Sequence, residues 1–185
     1  DDPDRLLSER VGLNRETGGV ASTVLRADTR VLARVTDGIY RQPSSAIREL
    51  ISNAYDADAR RIVVTTDRPR FNSIRVDDDG VGMSLEAVIH LLHHIGGSAK
   101  RSSEGAALGV TNPSDRLLSP GGRRLIGKIG IGLFSIAQLT RSFQITTKVK
   151  GDAWRTIATV TLRQYSDQDP GASTGEDGKF EAGLV

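Results

Sequence analysis

The chain has 185 residues, of which 37% are apolar and 26% charged, enough for one domain with its own core. Cysteine is absent, which excludes disulfides and thiolate-bound metals. A net charge of +2 and 4% aromatic residues argue against a nucleic-acid surface. The apolar runs are too short for a membrane span or a signal peptide, so we expect a cytoplasmic protein.

The first half of the chain predicts helices and short strands in alternation. Residues 1–27 show no clean periodicity and are interpreted as an N-terminal arm ahead of a domain over residues 28–165. Apolar spacing and turn residues predict, in chain order, helices over 28–40 and 44–59, strands over 61–66 and 73–77, and a helix over 84–95.

The second half is dominated by an irregular stretch over residues 96–126, rich in glycine and serine. A stretch of this length inside a compact domain is either an active-site lid or disordered, and we refer to it as the predicted lid. A glycine cluster at 127–132 and a helix over 133–139 follow, and then a hairpin of strands 143–150 and 154–162. Beyond a polar loop over 166–178, residues 179–185 are interpreted as a strand that stops early. The order of elements predicts an α+β fold with one mixed sheet.

The predicted helix over 44–59 carries Glu49, Asn53 and Asp56 within an arc of about 60°, opposite an apolar face. One interpretation is a solvated face opposite a core face. The other is a functional pair, in which a carboxylate takes a proton from water and an amide oxygen one turn away binds a hard cation.

The strand over 73–77 runs into three acids, Asp77, Asp78 and Asp79, followed by Gly80 and Gly82. The acids are compatible with a plain surface loop. Alternatively, the glycines allow close approach of the backbone to a ligand, and a buried carboxylate there accepts a hydrogen bond from a ligand amine.

The third motif is the glycine cluster, residues 127–135 (GKIGIGLFS), at the start of a predicted helix. Backbone N–H groups at such a helix N-terminus attract phosphate, although a tight packing turn would use the same glycines. Residues 122–128 also have the spacing of a P-loop. We reject a P-loop because Ile129 lacks the hydroxyl that Mg²⁺ needs and no convincing strand precedes the loop.

Taken in order, the three motifs resemble those of the GHKL superfamily of ATPases. Residues 49–57 (ELISNAYDA) resemble its N-box, residues 78–83 (DDGVGM) its adenine-binding acid–glycine motif, and residues 127–135 its glycine-rich lid motif. The resemblance covers roughly residues 28–162. It implies a two-layer α/β sandwich, with a mostly antiparallel mixed sheet covered on one face by helices.

The resemblance also implies site residues. Glu49 would be the general base that activates water, Asn53 the ligand of Mg²⁺, and Asp78 the acceptor of the adenine amine. Lys100, at the start of the lid, would meet phosphate. The remaining implied nucleotide contacts are Ala57, Gly80, Gly82 and Met83 around adenine, and Gly130, Ile131, Gly132 and Leu133 near the phosphates.

The implied activity is Mg²⁺-dependent binding of ATP or ADP and slow hydrolysis, coupled to conformational change or an ATP-dependent homodimer. We expect hydrolysis to be slow because the chain ends ahead of a C-terminal domain that supplies a cation to the γ-phosphate in ATPase relatives. Two alternatives stay open, a histidine-kinase or anti-sigma-type protein kinase and a non-hydrolysing nucleotide-gated clamp. His90, His93 and His94 are interpreted as polar residues at the base of the lid rather than a zinc site.

Overall fold

The computed structural model describes residues 2–28, 43–95, 104–127, 135–136, 139–162 and 179–185. They contain four helices and six strands, which confirms the α+β class. In chain order these are α1 (Pro3–Thr17), β1 (Val24–Asp28), α2 (Pro43–Asp56), β2 (Ile62–Thr66), β3 (Ile74–Asp78), α3 (Leu85–His93), α4 (Glu104–Ala107), β4 (Ser142–Thr147), β5 (Thr156–Leu162) and β6 (Lys179–Leu184).

The described strands form two sheets instead of the single expected one. A four-stranded sheet has the order β1-β6-β5-β4, and β2 and β3 pair by themselves. All of these pairs are antiparallel, whereas the bridge between Ala27 and Ile95 is parallel. Among the described strands, none of the larger sheet pairs with the hairpin β2–β3. After β3 the chain turns at Gly82, and the Met83 N–H donates to the Thr147 side chain at the end of β4.

The core lies between the four-stranded sheet and α3. Alternating residues of β5 point inward, as expected for a sheet with one covered face. The buried residues of this cluster are Leu25, Ala27, Val88, Leu92, Ile95, Ile136, Ala158, Val160 and Leu162. Leu50 of α2 packs against the same cluster, which fixes the orientation of the helix that carries the first motif.

The N-terminal region differs most from expectation, because residues 1–27 contain a helix and most of a strand. The helix α1 is set by its ends: Asp2 caps the first turn, Pro3 follows it, and Gly18 ends the helix with a φ of 70°. The apolar periodicity of α1 is weak because the helix buries one residue, Leu7, which packs against Leu85 and Ile89.

The remaining predicted boundaries agree with the structure to within a few residues, and the predicted hairpin of strands 143–150 and 154–162 forms as β4 and β5. The strands predicted over 61–66 and 73–77 also pair, as β2 and β3. The short helix α4 lies within the 96–126 segment, where the sequence predicts no helix. Asp28 ends β1 instead of starting a helix, and the rest of the predicted 28–40 helix lies outside the described residues. So does most of the predicted 133–139 helix. The expected final strand forms as β6, between β1 and β5.

Within the described ranges, no helix is both long enough and apolar enough to cross a membrane.

Candidate functional site

The C-terminal end of α2 contacts the acid–glycine turn directly. The carbonyl of Ala57, one residue beyond the helix, accepts the Val81 N–H at 2.8 Å. Gly80 faces the same carbonyl, and a Cβ at this position would lie 2.6 Å from the Ala57 oxygen. Only a glycine allows this approach, so the first two motifs are in direct contact here.

The other side of the turn is held by the end of β4. Gly82 has a φ of 74°, and a Cβ there would lie 2.1 Å from the Lys148 carbonyl oxygen. The next residue, Met83, donates its N–H to Thr147 Oγ1 at 2.8 Å. The turn is therefore clamped between α2 and β4, which fixes the backbone that the resemblance assigns to the adenine wall.

The three adjacent acids have different surroundings. Asp77 forms an ion pair with Arg75, Nη2 to Oδ1 at 2.7 Å. Asp79 accepts the N–H groups of Arg60 and Arg61 at 2.7 and 2.8 Å. These backbone hydrogen bonds, first that of Arg61 and then that of Arg60, hold the pKa of Asp79 below its ordinary value. The Asp79 carboxylate thus links the residues just before β2 to the end of β3, whereas the Asp77 ion pair lies within β3 and is exposed.

Asp78 differs from its neighbours because its contact lies within the turn. Its Oδ1 accepts the Gly80 N–H at 2.9 Å, and the residue is exposed, whereas the sequence interpretation expects a buried carboxylate. The hydrogen bond holds the carboxylate beside the glycines, and no ion pair joins it to another described residue. The role of Asp78 as the acceptor of the adenine amine stays a prediction.

Glu49 and Asn53 lie one turn apart on α2 and are both half-buried. Leu50 packs against the core and Ala54 is buried, as expected for the opposite face. Ile51, placed on that apolar face by the helical period, is instead 39% exposed. The roles of Glu49 and Asn53 in catalysis and Mg²⁺ binding stay predictions.

Asp56 is a residue of the site region that sequence reasoning placed on the polar face but did not assign. It is 2% exposed, and its carboxylate accepts the N–H of Ile126 at 2.9 Å and that of Gly127 at 3.0 Å. Gly127 opens the third motif, so Asp56 connects the N-box helix to the glycine cluster. Its position on the same face as Glu49 and Asn53 was the available signal.

Asp58 holds the described part of the predicted lid to the same end of α2. Its carboxylate accepts the Ser119 hydroxyl and, at 2.6 Å, the Gly121 N–H. Arg123 adds a hydrogen bond from Nη1 to the Ala59 carbonyl at 2.6 Å and lies over the Tyr55 ring. Residues 119–123 are therefore anchored, and they continue directly into the Asp56 contacts.

The remaining implied residues lie outside the described part of the chain. These are Lys100 at the lid start and Gly130, Ile131, Gly132 and Leu133 of the glycine motif. Their contacts with phosphate stay predictions. The described geometry brings Ala57, Asp78 and Gly80 together and places Gly82 and Met83 against the end of β4.

Comparison with known proteins gives relatives of two kinds. The chaperone protein HtpG of Gluconobacter oxydans is 31% identical over 68% of this chain and 22% of its own length. HtpG of Chlorobium phaeobacteroides is 26% identical over 85% of this chain and 28% of its own. The DNA mismatch repair protein MutL of Thermotoga maritima is 32% identical over 64% of this chain and 20% of its own.

The chain therefore spans about a quarter of the length of these curated relatives. No solved structure matches it significantly. A comparison with models of whole protein families also gives a match. Residues 40–175 match the family described as histidine kinase-, DNA gyrase B- and HSP90-like ATPase. This range contains all three motifs and more than half of the chain. The chain belongs to this GHKL-type ATPase family.

Proposed function

We propose that this domain binds ATP with Mg²⁺ and hydrolyses it slowly to ADP and phosphate. Family membership supports adenine-nucleotide binding. The observation that carries the proposal is the convergence at the end of α2, where Ala57 meets the acid–glycine turn and Asp56 meets the start of the glycine motif. One helix end thus joins the three segments that a nucleotide would touch.

The proposed chemistry assigns most of the work to positioning. Water attacks the γ-phosphorus, its proton passes to the Glu49 carboxylate, and ADP leaves with the pair of electrons of the broken P–O bond. Asn53, one turn along α2, would hold Mg²⁺, which neutralises charge on the phosphate oxygens. The Gly130–Gly132 amides and Lys100 would receive the remaining negative charge.

Asp78→Asn is expected to weaken binding of ADP and of a non-hydrolysable ATP analogue on the order of 100-fold, because the adenine amine would face an amide that offers one oxygen and its own N–H donors. The measurement is calorimetric titration with and without Mg²⁺. Asp77→Asn is the matched control: it sits next in sequence, but its carboxylate pairs with Arg75 at the surface, so binding should be unchanged.

Two results would contradict the binding site. If the parent chain binds neither nucleotide, the proposal fails for this domain. If Asp78→Asn and Asp77→Asn bind as tightly as the parent, nucleotide binds elsewhere and the assignment of Asp78 is wrong.

Glu49→Ala is expected to retain nucleotide and to lower the single-turnover hydrolysis rate about 10²- to 10⁴-fold, the usual contribution of a general base. Glu86→Ala, an exposed glutamate on α3, serves as the control and should hydrolyse at the parental rate. Hydrolysis by Glu49→Ala at the parental rate would show that another group activates the water.

The wider activity is a property of the whole protein. We infer that ATP binding drives a conformational change or homodimer, which sedimentation with and without a non-hydrolysable analogue tests. Labelled ATP separates hydrolysis from the kinase alternative, since released phosphate supports the former and protein-bound label the latter. The cytoplasmic location stays a prediction.

A further inference from the structure

A cluster of metal-ligating side chains lies between α1 and α3 and shares no residue with the proposed nucleotide site. It contains all three histidines of the chain, His90, His93 and His94, which face Asp4 in the first turn of α1. Asp4 Oδ2 lies 3.2 Å from His94 Nε2 and 3.7 Å from His90 Nδ1. The His90 and His94 rings are stacked with their centroids 4.2 Å apart.

We propose that Asp4, His90 and His94 bind a transition-metal ion of the Zn²⁺ class. One ligand atom from each residue lies within 4.8 Å of the other two. Zinc bonds of about 2.0–2.1 Å in tetrahedral geometry place neighbouring ligand atoms roughly 3.3 Å apart. The separations of 3.2 and 3.7 Å around Asp4 Oδ2 are close to this spacing. Because the His90 and His94 rings are stacked with an interplanar angle of 13°, at least one ring must rotate before both can direct a nitrogen at the same ion.

Neighbouring side chains contact these three residues and fix their orientation, as hydrogen-bond partners of metal ligands commonly do. His93 is 3% exposed, and its Nδ1 lies 2.7 Å from Asp4 Oδ1, the oxygen that faces away from the other two histidines. Thr23 Oγ1 contacts His93 Nε2 at 2.8 Å and holds that ring. On the far side of His90, Nε2 lies 3.8 Å from Glu104 Oε2, so a carboxylate faces the second ring nitrogen.

The donor set selects the class of ion. Two imidazoles and one carboxylate suit Zn²⁺, Ni²⁺, Cu²⁺ or Co²⁺, whereas Mg²⁺ prefers oxygen ligands and keeps several waters. The site is therefore distinct from the Mg²⁺ site proposed at Asn53, and it does not depend on ATP binding. It replaces the interpretation of the three histidines as plain polar residues at the lid base.

Such an ion would link the first turn of α1, which carries Asp4, to the C-terminal end of α3, which carries His90 and His94. The described apolar contact between the two helices is small, with Leu7 packed on Leu85 and Ile89. An ion that binds the folded arrangement only would stabilise it by an amount that grows with the free concentration of the ion. Metal binding would then secure the N-terminal helix against the body of the domain.

The test is calorimetric titration of the chain with ZnCl₂ in the absence of nucleotide. We expect one site in the parent and a loss of affinity of about 10- to 100-fold or more in His94→Ala and in Asp4→Asn. Glu9→Gln is the control, because Glu9 is an exposed acid on α1 paired with Arg5 outside the cluster, and it should bind Zn²⁺ as the parent does. No binding to the parent, or unchanged affinity in both variants, overturns the proposal.

A second measurement uses the parent chain alone, so misfolding of a variant cannot affect its result. Since the chain has three histidines, ¹⁵N spectra of their rings are readily resolved. We expect Zn²⁺ to shift one nitrogen each of His90 and His94 to metal-bound values while His93 keeps its tautomer. Ring nitrogens that do not shift at saturating Zn²⁺ would refute the site.

Discussion

Gly82→Ala is expected to destabilise the domain by at least about 4 kcal/mol, a large share of the 5–15 kcal/mol that holds a typical domain folded. Two costs add. The φ of 74° disfavours any side chain, and the new Cβ would lie 2.1 Å from the Lys148 carbonyl oxygen. Because the obstacle is backbone, a side-chain rotation cannot relieve it, and the turn and β4 must separate.

Urea denaturation measures this loss, and Gly109→Ala is the matched control. Gly109 has a φ of 71°, but nothing lies within 4 Å of the position that a Cβ would occupy there, so the variant carries the conformational cost alone. We expect it to lose about 1–2 kcal/mol. Equal losses in the two variants would mean that the turn does not press against β4 in solution.

The contacts of Gly82 show what could be predicted from the sequence. The order of acids and glycines predicts a turn that ends β3, and Gly80 and Gly82 do form it. The sequence does not reveal that Lys148, far along the chain, supplies the surface against which Gly82 packs. Local motifs indicate which backbone must be unusual, whereas the partner follows from the tertiary fold.

The same reason explains the N-terminal region. The strand β1 pairs with β6 at the other end of the described chain, a non-local contact that leaves no signal near residues 24–28. The residues at the two ends of α1, Asp2, Pro3 and Gly18, are typical of helix termini and do indicate a helix. The apolar periodicity does not indicate one, because a single leucine of α1 is buried. Capping residues were more informative here than hydrophobic spacing.

The contacts that anchor the predicted lid could not be predicted from the sequence either. Asp56 and Asp58 bind backbone N–H groups of an irregular segment, and such contacts have no periodic pattern. A helix end followed by acids predicts only a solvated terminus. The structure instead makes this end of α2 the point where the acid–glycine turn, residues 119–123 and the start of the glycine motif are joined.

Asp56→Ala is therefore expected to cost about 3–5 kcal/mol in free energy of unfolding. The buried carboxylate accepts two charge-assisted hydrogen bonds, and its removal leaves the Ile126 and Gly127 amides without that acceptor. Asp67→Ala is the matched control, since Asp67 accepts one N–H, that of Ser73, in an exposed turn away from the site. Its loss should be about 1 kcal/mol.

The position of the damage distinguishes a local effect from a global one. In native buffer, limited proteolysis of Asp56→Ala should cut within residues 104–127 before the rest of the domain, while Asp67→Ala keeps the parental pattern. If Asp56 connects the N-box helix to the glycine motif, the variant should also bind the ATP analogue more weakly although Asp78 is intact. Parental binding with a loosened 104–127 segment would show that this anchor serves stability alone, and that the nucleotide is held by the turn at Asp78 without help from the lid.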